Sequence, residues 1–128
     1  MAPKILIAED ERDIRDLIAF SLRYSGFDVV EAVNGQEAVE RTVASKPDLV
    51  LMDVRMPKMT GYEACKQLKS MDETKHIPVI FLSAKGQESE IQKGLDVGAE
   101  EYILKPFAPD ELANRVREVL QRTGETHQ

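Results

Sequence analysis

The sequence predicts an α/β fold, a three-layer (βα)5 sandwich around a parallel five-stranded sheet. Three observations predict it. Short apolar runs rich in β-branched residues recur five times, and helical patterns lie between them. The runs are nearly continuous rather than alternating, as in strands covered on both faces. Strand–helix alternation throughout requires right-handed crossovers, which put helices on both sides of the sheet. The order expected of five such strands is 2-1-3-4-5, taken from known doubly wound sheets rather than from this chain.

The first run is "KILIA" (Lys4–Ala8). Ile14, Leu17, Ile18 and Leu22 then share one helical face, and Gly26 stands where a C-terminal cap belongs. "FDVVEAV" (Phe27–Val33) is the most polar of the five runs and is the expected edge strand. Asn34, with Glu37 three residues later, resembles a capping box opening the second helix. "DLVLM" (Asp48–Met52) is the third run, "PVIFLSA" (Pro78–Ala84) the fourth and "EYIL" (Glu101–Leu104) the fifth.

The helix between Gln87 and Val97 is the weakest. Its apolar anchors are Ile91 and Leu95, and Gly94 in its interior costs about 1 kcal/mol relative to alanine. It is expected to shift easily. Pro109 fits the first turn of the last helix, whose buried stripe is Leu112, Val116, Val119 and Leu120. Ala108 before it supplies no capping side chain. The polar tail "TGETHQ" (residues 123–128) is expected to fray. Residues 1–128 therefore read as a single domain with a core over about 4–122.

Composition narrows the function. A net charge of −6 argues against a nucleic-acid-binding surface and against docking on an anionic membrane. No apolar run has the length of a membrane span, and the first ten residues lack a signal-peptide core. The single cysteine, Cys65, rules out a disulfide framework and reads as a small core hydrophobe. A cytoplasmic location is expected. Met52, Met56, Met59 and Met71 read as packing or loop residues, and His76 and His127 as solvated.

Ligands of open α/β sheets bind beyond the carboxyl ends of the strands. Here those ends carry Glu9 and Asp10, then Asp53, Ser83 and Lys105. Each alone has an ordinary reading: a cap, a loop acid, a turn serine, a solvated lysine. The third run raises the sharper question, because a strand buried on both faces ends on an acid although burying an ionised group is expensive. Three carboxylates at one rim repel one another unless a cation sits among them, and hard oxygen donors suit Mg2+. A divalent cation, a lysine and a hydroxyl around one carboxylate form a set that binds a phosphoryl group.

The motifs "ILIAEDE", "PDLVLMDVRMPKMTGYE", "IPVIFLSAK" and "GAEEYILKPF" together resemble the receiver domain of two-component response regulators, similar to stand-alone chemotaxis-type regulators, over essentially the whole chain. The resemblance implies a flavodoxin-like fold. It implies that Asp53 accepts a phosphoryl group from a phosphohistidine on a sensor histidine kinase or phosphotransfer protein. It further implies that Asp10, Asp53 and the backbone carbonyl of Arg55 ligate Mg2+, with Glu9 acting through water. Ser83 would be the switch hydroxyl, Lys105 the phosphate-facing cation, and Tyr102 the aromatic that changes rotamer. The Lys105–Pro106 bond would be cis. Output would pass through the fourth helix, fifth strand and last helix to a downstream protein target, with a phosphorylation-dependent homodimer among the outcomes.

Rival chemistries fit less well. A Mg2+-dependent phosphohydrolase of the haloacid-dehalogenase type needs an acid two residues after its nucleophile, where this chain has Arg55. A flavin carrier needs a hydroxyl-rich loop after the first strand, where this chain has "EDERD". A pseudo-receiver would lack one of the acceptor, metal or switch residues, and none is missing. The expected molecule is a switch that catalyses only its own phosphorylation and dephosphorylation.

Overall fold

The computed structural model describes residues 2–84, 86–105 and 107–126, with the side chains of Pro109 and residues 124–126 left aside. The expectations for the Lys105–Pro106 bond and for His127 lie outside the described residues. In chain order the elements are β1 (Lys4–Ala8), α1 (Arg12–Tyr24), β2 (Asp28–Ala32), α2 (Gly35–Ser45), β3 (Leu49–Asp53), α3 (Gly61–Ser70), β4 (Val79–Ser83), α4 (Glu88–Asp96), β5 (Glu101–Leu104) and α5 (Pro109–Thr126). All strand pairs are parallel, and the sheet order is β2-β1-β3-β4-β5. The predicted fold class and strand order are both met.

Strand alternation divides the interior into two cores. Ile5, Ile7, Leu49, Leu51, Ile80 and Leu82 face Ile18 and Leu22 of α1 and Leu112 and Val116 of α5. Leu6, Ala8, Val50, Met52, Val79 and Phe81 face the other way, toward Ala38 of α2 and Ala64, Cys65 and Leu68 of α3. Every residue of β3 and β4 is buried, whereas β2 is largely half-buried and lies at the edge as expected. Cys65 sits in the core, and burial pushes its thiol up to about 11.

Two helices depart from expectation. Leu17 of α1 is 53% exposed and belongs to a separate flank with Phe20 and Tyr24. The buried stripe is Ile18, Ala19 and Leu22, because small Ala19 lets the helix settle one position round from the larger leucine. In α4, Leu95 is exposed and Ile91 only half-buried; the buried residue is Gly94. The last helix continues past Arg122 to Thr126, beyond the point where fraying was expected.

Capping chemistry explains where α2 and α3 begin. Asn34 Oδ1 accepts the Glu37 N–H at 2.8 Å, and the Glu37 carboxylate reaches back to the Val33 N–H at 3.3 Å. Thr60 and Glu63 form a full reciprocal capping box that opens α3. The T-x-x-E spacing of Thr60 and Glu63 is the sequence signal for this box. Gly61, the next residue, lies hard against the end of β3. A Cβ there would meet the Asp53 carbonyl oxygen at 2.3 Å, so only glycine lets α3 start this close to Asp53.

Candidate functional site

Parallel strands in register bring their carboxyl ends to one rim. Ala8 pairs with Met52, and Asp53 with Leu82, so Glu9, Asp53 and Ser83 emerge side by side from β1, β3 and β4. Glu9 is fully buried, Asp53 is 8% exposed and Ser83 is buried, while Asp10 is exposed. One carboxylate oxygen from each of Glu9, Asp10 and Asp53 lies within 4.8 Å of the others. Three hard oxygen donors at that spacing suit a small divalent cation, and the acidic group is a candidate metal centre.

Lys105, just past β5, crosses this group. Its Nζ donates to Glu9 Oε1 at 2.9 Å and lies 3.6 Å from Asp53 Oδ1. Glu9, expected to reach the cation through water, also pairs directly with Lys105. Its second oxygen accepts the Glu11 N–H at 3.2 Å, and Arg15 donates to its backbone carbonyl at 2.9 Å. Burial pushes the Asp53 carboxyl up to about 6, with the Glu9 charge adding and Lys105 opposing. Asp10 is raised as well, chiefly by burial, with its hydrogen bond to Glu9 contributing. Burial works against the Lys105 charge, yet the bond to Glu9 and the nearby Asp53 outweigh it and hold its ammonium above the usual value. The buried carboxylates and the lysine stabilise each other's charged forms, and the surplus negative charge favours a cation.

Asp10, Asp53, Arg55, Ser83 and Lys105 line one open cleft of about 320 Å³. The predicted rim residues are therefore all assembled at one place. Tyr102 is not in that cleft. It sits on β5 opposite Phe81, two strand positions below the Ser83–Leu104 pair, and packs half-buried against the α3-side core. Beside it lies a group that the sequence analysis missed: Tyr62 of α3, whose ring meets Phe81 edge-on at 5.2 Å. A tyrosine directly after a glycine at a helix start carries no signal of such a role.

Residues 5–117 match the family model described as the response regulator receiver domain. The chain belongs to that family. Receiver domains are the switch modules of two-component signalling; they bind Mg2+ at an acidic pocket and interact with histidine kinases or phosphotransfer proteins. The receiver is 47% identical over 120 residues to the phosphate regulon transcriptional regulatory protein PhoB of Pseudomonas aeruginosa, covering 94% of this chain and 52% of that protein. It is 41% identical to the alkaline phosphatase synthesis transcriptional regulatory protein PhoP of Bacillus subtilis, covering 96% of this chain and 50% of that one. The chain thus spans about half the length of the curated relatives it matches. Among solved structures, a putative response regulator from Chloroflexus aurantiacus superimposes with a TM-score of 0.90 at 33% identity, covering 94% of this receiver and 99% of that chain. Among the described residues, no helix is long and apolar enough to cross a membrane.

Proposed function

We propose that this receiver takes a phosphoryl group onto Asp53 from a phosphohistidine of a sensor kinase or phosphotransfer protein, and signals by a change in α4, β5 and α5. The observation that carries it is the placement of Asp53 at the end of a fully buried strand, with Glu9 and Asp10 oxygens within 4.8 Å and the Lys105 ammonium at 3.6 Å. The rigid strand aims the Asp53 carboxylate. One of its oxygens attacks phosphorus as the bond to the histidine nitrogen breaks, leaving an acyl phosphate on Asp53 and a neutral imidazole on the donor.

Asp10, Asp53 and the Arg55 carbonyl, with Glu9 close by, would hold Mg2+, which supplies charge neutralisation for the incoming phosphoryl oxygens. Lys105 contributes a second positive charge and Ser83 a hydroxyl donor at the same cleft. Lys105, released in part from Glu9 and Asp53, and Ser83 move toward the new negative charge. Tyr102 then follows the space that Ser83 leaves. Residues 1–128 act as one receiver unit, a switch without turnover of an external substrate. The names of its relatives favour transcription control as the eventual output, exerted through a downstream protein or domain, since the net charge of −6 disfavours direct binding of nucleic acid by the receiver.

The test is labelling from acetyl phosphate, followed by mass spectrometry. Asp53 is expected to gain one phosphoryl group only when Mg2+ is present. Asp53→Asn abolishes the label, and Asp10→Asn slows it while raising the Mg2+ concentration needed. Labelling that persists in excess chelator overturns the metal assignment.

A further inference from the structure

Helix α4 is held to the body by contacts other than an apolar stripe. Its buried residue is Gly94, and its larger side chains add little, with Ile91 half-buried and Leu95 exposed. The contacts come from α3 and β5. The Tyr62 hydroxyl, on a buried ring, donates toward the Glu90 carbonyl oxygen at 3.1 Å and the Glu90 carboxylate at 3.0 Å. The Tyr102 side chain also acts on this hydroxyl and helps it hold its proton. Lys93 Nζ stands over the Tyr62 ring, 4.8 Å from its centroid. Underneath, Phe81 meets Tyr62 at 5.2 Å and Tyr102 at 6.2 Å, both edge-on.

Gly94 completes the arrangement. A Cβ at that position would come within 2.9 Å of the Tyr102 ring and 3.0 Å of Phe81. Residue 94 must therefore be glycine for α4 to seat on an inward Tyr102. Glu90, Lys93 and Gly94 share one helical face, since residues three and four apart are neighbours on a helix. That whole face is committed to Tyr62, Tyr102 and Phe81.

We infer that Tyr62 is the positioning residue through which Tyr102 governs α4: the hydroxyls of Tyr62 and Tyr102 and the Glu90 acceptors form one clamp, and Gly94 is the clearance that lets it close. A tyrosine hydroxyl has one proton and two lone pairs, so Tyr62 can bond Tyr102 and Glu90 at once. Such chained bonds polarise and strengthen one another. When the Tyr102 ring swings out, the buried Tyr62 hydroxyl loses a partner and the Glu90 link weakens with it. Burial, with Tyr102 and the bond to Glu90 adding, raises the Tyr62 hydroxyl far above its ordinary value, so it remains a proton donor throughout the working pH range. The inference rests on the reading that Tyr102 and α4 carry the output.

The test uses Tyr62→Phe, which keeps the ring and removes only the hydroxyl. Amides of Glu88–Asp96 are expected to exchange roughly fivefold faster with solvent than in the unmodified protein, while those of β1 and β3 keep their rates. Adding beryllofluoride with Mg2+ is expected to shift resonances around Asp53 as before but to move those of α4 much less. A tyrosine with only a packing role would lose nothing on becoming phenylalanine, and α4 exchange and the α4 response would then match the unmodified protein, which overturns the clamp. Tyr102→Phe and the double variant supply a cycle: hydroxyls acting as one unit make the double no worse than either single, and additive losses overturn it. Gly94→Ala, with every hydroxyl present, is expected to blunt the α4 response too. If beryllofluoride moves no resonance near Asp53 in the unmodified protein, the acceptor reading fails, and the exchange arm still decides the clamp because it needs no ligand.

Discussion

Asp53 carries the main conflict in the molecule. Its carboxyl is pushed up to about 6, first by burial and then by Glu9, so the folded chain holds that proton more tightly than the unfolded chain does. Folding therefore carries a penalty for ionising Asp53 that is absent below about pH 4, grows through pH 5 and is complete above about pH 6. The full shift corresponds to at most about 3 kcal/mol. Asp53→Asn, which removes the charge and keeps the shape, is expected to stabilise the metal-free protein at about pH 7.5 and to change little at about pH 4. Urea unfolding at the two pH values checks this, and a variant less stable at the higher value contradicts the sign. The identity of this residue was legible in the sequence, because an acid ending an apolar run stands out. Tyr62 was not, because its partners Glu90 and Tyr102 lie 28 and 40 positions away and meet it only in the fold.

At the scale of elements, helix positions are set by polar ties as much as by apolar stripes. Lys69 of α3 donates to the Ile77 carbonyl at 2.8 Å and to both Glu100 oxygens at 3.2 Å. Glu100 in turn accepts the Val79 N–H at 2.7 Å. One partly buried pair thus joins α3, the start of β4 and the turn into β5. Lys69→Met leaves the carbonyl and the carboxylate without their cation and is expected to cost about 2 kcal/mol. Denaturant midpoints measure it, and Glu100→Gln in a double-mutant cycle should show a loss smaller than the sum of the singles. The same scale shows why the stripe argument misplaced Leu17 of α1 and Leu95 of α4. Large apolar residues were counted, whereas the close approaches were made by Ala19 and Gly94, which carry almost no hydropathy signal.

For the whole molecule, the acidic rim links metal binding to stability. On the proposed ligand set, Mg2+ would be held by Asp10 and Asp53 and would bind the folded chain alone, since those carboxylates converge only when β1 and β3 pair. At a concentration about 100 times its Kd it should add about 2.7 kcal/mol, or roughly 10 °C in Tm for a domain of this size. Calorimetry with and without Mg2+ measures the gain. Asp10→Asn is expected to lose most of it, and an undiminished gain in that variant would place the cation elsewhere.

The strand order was borrowed from known doubly wound sheets, whereas strand number and the rim residues could be read before any coordinates were known. They follow from local patterns, a continuous apolar run for a covered strand and its next residue for the rim, and parallel pairing then has one way to align them. The tertiary structure alone decided how α4 is held, that Leu17 and Leu95 face outward, and that Glu9 pairs directly with Lys105. These depend on distances between residues far apart in the chain. Such distances are set by which side chains can approach without clashing, and a one-dimensional pattern of apolar and polar residues does not encode that.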